Sequence, residues 1–409
     1  MSHRNLLLVI AFFLFSSCSA NTAPSNANKP TPQPHEVGSY NCQGRVHATS
    51  SGTVAPSSTP RSLYFGNNRG NFYAVNAQTG ELRWCLDLNN PKTATTPSTL
   101  IIGTPTVVDG VVYVCASDGG EAGYLYTFNA SDGSLRWRTQ TDCWNVSIPF
   151  TDRAIPLVNN GVVYSGLSAV RARDGQVQWK FHVNLSREGE LILLALVDGV
   201  VYASTEGAVY AFNAQNGAIL WRYPSHAFLN VGGPLVISNK MLLVGTQGTV
   251  DQPETSALYA INTENGSLRW VHLMGDYVGA ALLNNVAYVS SGGPSLDAFN
   301  MSSGTVLWHY KFTHLVSISN PTLTTGGMLY INADGAYALR SENGRVLWHK
   351  PLGADQSVYF LPPVVVDGVD YVVRTDGHGN SMLYALNASN GAEYWQSTNL
   401  PQLSPLTVA

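Results

Sequence analysis

The chain has 409 residues, of which 12% are charged and 10% aromatic, and it contains 38 glycines and 20 tyrosines. This composition is poor in the helix formers Glu, Lys and Arg and rich in residues that favour strands and turns, so it indicates an all-β protein. The formal net charge is −4 and the sequence has no basic run, which argues against a nucleic-acid partner.

The N-terminus has the form of a lipoprotein signal peptide. Arg4 and the amino terminus supply positive charge, and residues 6–15 form an apolar run too short to span a bilayer as a helix. The run ends in LFSSC (14–18), which resembles a bacterial lipobox and predicts a lipid on Cys18. The alternative is ordinary cleavage after Ala20, which removes Cys18. Both interpretations predict an extracytoplasmic protein.

A polar segment follows the predicted lipidation site. Residues 19–40 are mostly Ser, Thr, Asn, Pro and Ala, with almost no large apolar side chain. Such a segment buries too little surface to fold by itself, so it predicts a flexible tether. A tether directly after a lipidated cysteine is typical of a protein anchored to a bacterial membrane, on its periplasmic or cell-surface side.

Eight segments of the chain share one pattern, in which a small and an apolar residue precede Asn or Arg, a polar turn, Gly and, four residues later, Trp. These segments span 74–84, 127–137, 169–179, 211–221, 260–270, 298–308, 338–348 and 385–395. Eight of the nine tryptophans therefore occupy one position: Trp84, Trp137, Trp179, Trp221, Trp270, Trp308, Trp348 and Trp395. The coincidence indicates one structural unit repeated eight times.

Each repeat carries the signals of four strands. A Pro-marked run such as TPTVV (104–108) predicts a first strand, and an alternating apolar run such as GVVYV (110–114) predicts a second. A third strand ends before the polar turn, where Gly supplies the positive φ that a tight hairpin needs, and the fourth carries the Trp. Four strands in each 38 to 53 residues are the unit of a propeller blade.

The repeated segment closely resembles the tryptophan-docking motif of the pyrroloquinoline-quinone (PQQ) type of β-propeller, over about residues 60–409. The resemblance implies an all-β fold, an eight-bladed β-propeller of four-stranded antiparallel blades. In such a ring the Trp buries about 150–250 Å² against the next blade. The family includes quinoprotein dehydrogenases, which hold PQQ and Ca²⁺ over the central channel.

Two departures separate this chain from those dehydrogenases. They typically carry a vicinal cysteine pair beneath the cofactor, whereas no two cysteines are adjacent here, and they have elaborated blade loops, whereas these blades are compact. The chain is more similar to non-enzymatic members, such as the propeller lipoprotein of the outer-membrane β-barrel assembly machinery. The similarity implies a lipid anchor, a tether, eight short blades and a scaffold role.

The two chain ends predict how the ring closes. The first repeat starts with the strand RSLYF (61–65) and has no convincing strand before it, while the chain ends in LSPLTV (403–408), a strand without a blade of its own. We therefore expect the C-terminal strand to pair into blade 1 and leave no open sheet edge there. The predicted parts are a signal peptide (1–17), a lipidated cysteine and disordered tether (18–41) and the propeller (42–409).

Four cysteines follow Cys18, and an even number in an exported protein favours disulfides, although four cysteines allow three pairings. Cys115 ends a second strand and Cys143 lies on the crossing to the next blade, so we expect both on one face and paired. By elimination, Cys42 pairs with Cys85 and holds the N-terminal segment beside blade 1. The alternative is that all four are buried thiols.

A binding face is predicted by the longest loops. Loops between second and third strands lie on one face together with the crossings between blades, and three of them are long: 117–123, 246–256 and 375–381. The candidate contact residues on the crossings are Trp144, Asp152, Arg153, Asp276, Tyr277 and Tyr359. An aromatic on a crossing loop such as Trp144 is a typical contact anchor, although it also suits a cap on blades 2 and 3.

Enzymatic signatures are absent from the sequence, which has no G-x-S-x-G, H-E-x-x-H, P-loop or C-x-x-C-H motif. The run DGHGN (376–380) is interpreted as a blade turn and not a calcium loop, because its twelfth position is Asn387 instead of Glu. We expect a monomeric, membrane-anchored scaffold that binds protein partners without a cofactor or metal. The alternatives are a PQQ-dependent oxidoreductase and an extracellular ligand sensor.

Overall fold

The computed structural model describes residues 48–50, 61–88, 100–117, 123–142, 155–183, 192–205, 207–224, 236–246, 256–275, 277–313, 318–353, 357–397 and 400–409. Within these ranges all the regular structure is β, and the strands form eight antiparallel sheets. Seven sheets have four strands and one has seven. The predicted eight-bladed propeller is therefore confirmed.

The first half of the chain contributes a short leading strand, most of blade 1 and blades 2 to 4. In chain order these strands are β1 (Ala48–Ser50), β2 (Ser62–Gly66), β3 (Asn71–Asn76), β4 (Leu82–Asp87), β5 (Leu100–Val108), β6 (Val111–Ser117), β7 (Gly123–Asn129), β8 (Leu135–Thr141), β9 (Leu157–Asn159), β10 (Val162–Ser165), β11 (Ser168–Arg171), β12 (Val177–Lys180), β13 (Ile192–Val197), β14 (Val200–Thr205), β15 (Ala208–Asn213) and β16 (Ile219–Pro224).

The second half contributes blades 5 to 8 and the last strand. These are β17 (Val236–Ser238), β18 (Met241–Gly245), β19 (Ala257–Asn262), β20 (Leu268–Leu273), β21 (Tyr277–Leu283), β22 (Val286–Ser291), β23 (Ser295–Asn300), β24 (Val306–Lys311), β25 (Thr322–Leu323), β26 (Met328–Asn332), β27 (Gly335–Arg340), β28 (Val346–Pro351), β29 (Tyr359–Phe360), β30 (Val364–Val366), β31 (Val369–Thr375), β32 (Asn380–Asn387), β33 (Glu393–Ser397), β34 (Leu400–Pro401) and β35 (Thr407–Val408).

Each blade is a meander from an inner strand to an outer one. The first and second strands are joined by two-residue turns such as Asp109-Gly110, whose φ angles of 49° and 72° are those of a type I′ hairpin. The second and third strands are almost wholly buried, as in β2 and β3, whereas outer strands such as β4 are largely half-exposed. The core therefore lies between neighbouring blades.

The tryptophan of an outer strand joins its blade to the next one. Trp84 donates its indole N–H to the carbonyl oxygen of Ala130 in blade 2 at 3.0 Å, and the hydroxyl of Tyr64 donates to the same oxygen at 3.1 Å. The same indole-to-carbonyl bond links Trp137 to Ala172, Trp221 to Thr263, Trp270 to Met301, Trp308 to Ser341, Trp348 to Ala388 and Trp395 to Ala77. Each bond satisfies a polar atom at an apolar seam.

Glycine is required where the next blade receives this ring. Gly133 has a φ of +73°, and a Cβ atom placed there would lie 2.9 Å from the ring of Trp84. The docking turn of the following blade shows the same conflict, because a Cβ on Gly175 would lie 2.6 Å from Trp137. The repeated Gly therefore serves both the left-handed turn and the close packing of the Trp.

The ring closes through the C-terminus, as the sequence predicts. β35 pairs antiparallel with β2, with Val408 opposite Leu63. Ser62 and Ala409 exchange two backbone hydrogen bonds of 2.7 and 3.0 Å. The last residues of the chain thus form the innermost strand of blade 1, and the hydroxyl of Thr407 donates to the carbonyl of Pro105 in blade 2.

A second closure was not predicted from the sequence. β1 pairs antiparallel with β33, the outer strand of blade 8, with Ala48 opposite Ser397 and Ser50 opposite Trp395. Blade 8 therefore has an extra outer strand drawn from the N-terminal end of the chain. Trp395 is fully buried, whereas most of the other docking tryptophans are partly exposed.

The predicted disulfide between Cys115 and Cys143 is wrong. Cys115 is a buried thiol whose sulfur lies 3.0 Å from the hydroxyl oxygen of Ser165 in blade 3. The side chain points into the seam between blades 2 and 3, beside Val163, because alternation along β6 places it on the face of Tyr113. Cys143 itself lies outside the described residues.

Cys85 behaves differently from Cys115. Its sulfur takes part in a disulfide, and the cysteine it joins lies outside the described residues. The side chain of Cys85 packs against the apolar cluster shared by blades 8 and 1. The predicted pairing with Cys42, which also lies outside the described residues, remains a prediction.

Candidate functional site

The two faces of the propeller differ in what they carry. One face is built from the two-residue turns between first and second strands and from the glycine turns that receive the tryptophans. The other carries the loops between second and third strands and the crossings between blades, and we call it the loop face. The glycine turns of the first face pack against the docking tryptophans of neighbouring blades. The loop face is therefore the candidate binding surface.

The structure describes only part of the predicted contact set on the loop face. The candidates Trp144, Asp152, Arg153 and Asp276 lie outside the described residues, and so does the anchor Cys18. Of the remaining two, Tyr277 begins β21 in blade 6, whereas Tyr359 begins β29 in blade 8, opposite Thr375.

Tyr359 belongs to a chain of side-chain hydrogen bonds that crosses from blade 8 to blade 1. Gln402 donates its amide N–H to the Tyr359 hydroxyl oxygen at 3.0 Å, and Asn68 donates to the Gln402 side-chain oxygen, also at 3.0 Å. The backbone N–H of Asn68 donates to the Gln402 carbonyl at 2.9 Å. Sequence analysis missed Gln402 and Asn68, because neither belongs to the repeated segment.

A buried asparagine shapes the blade 1 loop of this cluster. Asn67 is 1% exposed, and its side-chain oxygen accepts the backbone N–H groups of Arg69 and Asn71 at 2.9 and 3.0 Å. Its amide donates to the hydroxyl oxygen of Tyr73 at 3.0 Å. With Asn67 fixed in this way, Asn68 and Arg69 are presented to solvent at the tip of the loop.

The blade 8 loop next to it is a tight turn, as predicted. The Asp376 carboxylate accepts the backbone N–H groups of His378 and Asn380, each at 2.9 Å. The backbone hydrogen bond from Asn380 holds the pKa of Asp376 below its usual value. The carboxylate is thus used by the turn itself, and His378 projects into solvent.

The electrostatic character of this cluster is mainly neutral. Burial raises the pKa of Tyr359 well above its ordinary value, so its hydroxyl stays protonated at physiological pH. Asn68 and Gln402 add uncharged amide groups, and the exposed Arg69 and His378 stand at the tips of the two loops. Such an arrangement suits hydrogen bonding to the backbone and polar side chains of a protein partner.

The described part of the chain bears on metal binding and on membrane insertion. There, no three His, Cys, Asp or Glu side chains gather closely enough to hold a metal ion. No helix in the same residues is long and apolar enough to cross a membrane.

The family is shown by a match that covers the propeller. Four overlapping stretches, 37–166, 119–225, 163–313 and 295–409, match the family described as the outer membrane protein assembly factor BamB. The chain belongs to this family. BamB of Yersinia pestis is 23% identical over 416 residues, which cover 96% of this chain and 90% of that protein.

Solved structures support the same fold. BamB from Moraxella catarrhalis has a TM-score of 0.55 at 16% identity, over 87% of this chain and 97% of that one. The quinohemoprotein alcohol dehydrogenase from Comamonas testosteroni reaches 0.54 at 14% identity, over 74% of this chain and 67% of the enzyme. At these identities the likeness shows the shared propeller fold and does not separate a BamB from a dehydrogenase.

Proposed function

We propose that this protein is a lipid-anchored, extracytoplasmic scaffold that binds a protein partner through its loop face. The observation that carries the proposal is the match to the BamB family from residue 37 to residue 409. Relatives of that name are outer membrane protein assembly factors, so the proposed role is to support the assembly of envelope proteins. The scaffold acts as a monomer in this proposal.

The ordered cluster at blades 8 and 1 is the part of the loop face on which the partner is proposed to rest. Asn68 and Gln402 are held by hydrogen bonds within the protein, so little side-chain freedom is lost when a partner binds. The exposed Arg69 and His378 offer polar contacts at the rim, where charge affects the rate of association more than affinity.

Photo-cross-linking in intact cells tests this proposal. A benzophenone amino acid replaces Asn68 or His378 on the loop face, and in matched controls it replaces Asp198 or Gln215, which are exposed on turns of the opposite face. We expect the two loop-face positions to give the same protein adduct and the controls to give none. Equal adducts from both faces, or none from either, would contradict a partner on the loop face.

The anchor is tested separately. Cys18→Ser should move the protein from the membrane fraction to the soluble extracytoplasmic fraction, because the thiol that receives the lipid is lost. Ser16→Ala is the control, since a small residue is kept at that lipobox position. A Cys18→Ser protein that stays on the membrane after a high-salt wash would refute the lipid anchor and leave the cross-linking result untouched.

The scaffold is also proposed to work without PQQ. The support is the sequence, in which no two cysteines are adjacent and the blade loops are compact. Titration of the purified protein with PQQ and Ca²⁺, followed by tryptophan fluorescence and dye reduction, should give no saturable signal. Saturable quenching with dye reduction would replace the scaffold by a quinoprotein oxidoreductase.

A further inference from the structure

Blade 8 differs from the other seven blades at one buried position of its second strand. In seven blades this position holds an aliphatic side chain: Leu63, Val112, Val163, Val201, Leu242, Ala287 and Leu329. In blade 8 it holds Asp370. All eight side chains are fully buried. A carboxyl group thus stands where the fold otherwise places hydrocarbon.

The surroundings of Asp370 are apolar. Its strand neighbours are Val365 on β30 and Leu386 on β32. By alternation along β31, Asp370 shares a face with Val372, which packs against Ala336 of blade 7. Asp370 therefore points into the seam between blades 7 and 8, as its counterparts point towards the preceding blade.

Among the residues that the structure describes, neither carboxyl oxygen of Asp370 has a hydrogen-bond partner. Across the seam stands Tyr330, whose hydroxyl donates instead to the carbonyl of Ala388 at 3.0 Å. A buried carboxylate without a partner costs several kcal/mol, whereas the protonated acid costs much less. The geometry therefore requires the uncharged form of Asp370.

Within the described ranges, no ionisable neighbour supplies a counter-charge to Asp370. Tyr330 lies across the seam, and burial together with the Asp370 charge raises the pKa of Tyr330 to about 12. The other ionisable side chains on this seam stand further along its strands: Arg340, Lys350, Arg374, Tyr384 and Glu393. Lys350 and Glu393 pair with each other at 3.6 Å, and Arg374 donates to the carbonyl of Gly353 at 2.9 Å. Burial alone raises the pKa of Asp370, to about 8.

We propose that Asp370 makes the seam between blades 7 and 8 a proton-dependent joint, closed while the carboxyl group is protonated and loosened when it ionises. The joint lies in the blade that also pairs with the N-terminal strand β1 and adjoins the closing blade 1. Loosening there weakens the blade on which closure of the ring depends, and it leaves the seams of blades 2 to 6 unaffected.

The direction of the pH effect follows from proton binding. In the unfolded chain the carboxyl group titrates at about 3.9. In the folded chain its pKa is about 8, so between these values the folded state holds a proton that the unfolded state has lost. Stability from this site therefore falls as pH rises from about 4 to about 8 and changes little beyond that range.

Melting temperatures of the whole protein between pH 5 and pH 9.5 test the joint. Asp370→Val installs the residue that blades 2, 3 and 4 carry, Asp370→Asn keeps the shape without the ionisation, and Asp198→Asn is a control on an exposed turn. Between pH 6 and pH 9, we expect the melting temperatures of the wild type and of Asp198→Asn to fall. Each fall should exceed that of Asp370→Val by roughly 5 °C or more. Parallel pH profiles for wild type and Asp370→Val would overturn the proposal.

Hydrogen exchange places the effect within the ring. After correction for intrinsic rates, amides of β31 and β32 in wild type should exchange at least tenfold faster at pH 9 than at pH 6, while those of β14 and β15 in blade 4 should not. Asp370→Val should abolish the difference even if Asp370→Asn fails to fold. Uniform acceleration in all blades, or none in blade 8, would show that Asp370 does not control this seam.

Discussion

Two seams are held by the same kind of docking bond, one between blades 8 and 1 and the other between blades 1 and 2. The lengths of chain that separate the bonded residues are very different. Trp84 reaches Ala130 over 46 residues, whereas Trp395 reaches Ala77 over 318. The longer loop costs about 2 kcal/mol more to close by chain entropy. The closing seam therefore needs additional contacts, and the structure supplies them.

Those contacts come from both chain ends. β35 completes blade 1, β1 covers the edge of blade 8, and Arg61 forms an ion pair with Asp367 at 2.6 Å. Trp395 is fully buried, whereas Trp84 is partly exposed. This propeller therefore closes by adding contacts to its ordinary seam and not by replacing that seam.

Removing the C-terminal strand should have the largest effect. Deletion of residues 403–409 removes the inner strand of blade 1, the Thr407 bond to Pro105 and the buried Leu403 and Leu406. Burial of the two leucines alone accounts for about 3–6 kcal/mol. We expect a large fall in melting temperature, or aggregation. Deletion of residues 21–27, equally long, is the control, and equal stability of the two proteins would mean that the ring closes another way.

The loss of stability on replacing a docking tryptophan by alanine should depend on how deeply that tryptophan is buried. Trp395→Ala should lower the free energy of unfolding by about 3–5 kcal/mol, because its whole ring is removed from a sealed seam. Trp308→Ala is the matched change at an inner seam, where the indole makes an equivalent 2.9 Å bond to Ser341 but the ring is partly exposed. Urea unfolding should show a smaller loss for Trp308→Ala. Equal losses would mean that the closing seam is not better packed.

The disulfide of Cys85 should also strengthen the closing seam. Non-reducing peptide mapping should identify Cys42–Cys85, since Cys85 packs on the cluster shared by blades 8 and 1 and not on blade 2. Cys42→Ser and Cys85→Ser should each cost about 2–4 kcal/mol, and the double variant no more than either. Cys143→Ser should leave stability unchanged. A mapped Cys85–Cys143 bond would place the cross-link away from the seam between blades 8 and 1 and contradict this prediction.

Of the contacts at the closing seam, the ion pair between Arg61 and Asp367 should contribute least to the free energy of unfolding. The side chains of Arg61 and Asp367 are 32% and 42% exposed, so solvent screens their attraction. A double-mutant cycle with Arg61→Ala and Asp367→Ala should give a coupling energy below about 1 kcal/mol that declines with added salt. Coupling above 2 kcal/mol, or insensitivity to salt, would mean that the closing seam depends on charge.

The sequence predicts the blades well because their signals are local. Trp, Gly and the polar turn lie within eleven residues of each other, and eight copies fix the number of blades. Closure was also predictable, because the run 403–408 is a strand without a blade. By contrast, β1 is only three residues, Ala-Thr-Ser, with no apolar alternation to announce it.

The site was less predictable because its contacts join distant parts of the chain. Asn68 and Gln402 are 334 residues apart, and no repeat or motif links them. The error at Cys115 had a signal, since the alternation that puts Tyr113 in the seam puts Cys115 there too. Asp370 was likewise visible as an acid in an apolar strand, although its complete burial could be learned only from the structure.

The adjacency of Ser62 and Ala409 has a consequence for the order of the chain. At the equivalent position of blade 8, the two-residue turn Asp367-Gly368 joins the first strand to the second. In blade 1 the two strands pair in the same way, and only that turn is missing. An Asn-Gly link that joins Ala409 directly to Ser62, in a chain without residues 1–61, would supply this turn and make the eight blades continuous in sequence. A circular permutant opened at Asp198-Gly199 would then have both of its chain ends in blade 4. The order of the blades around the ring would be unchanged.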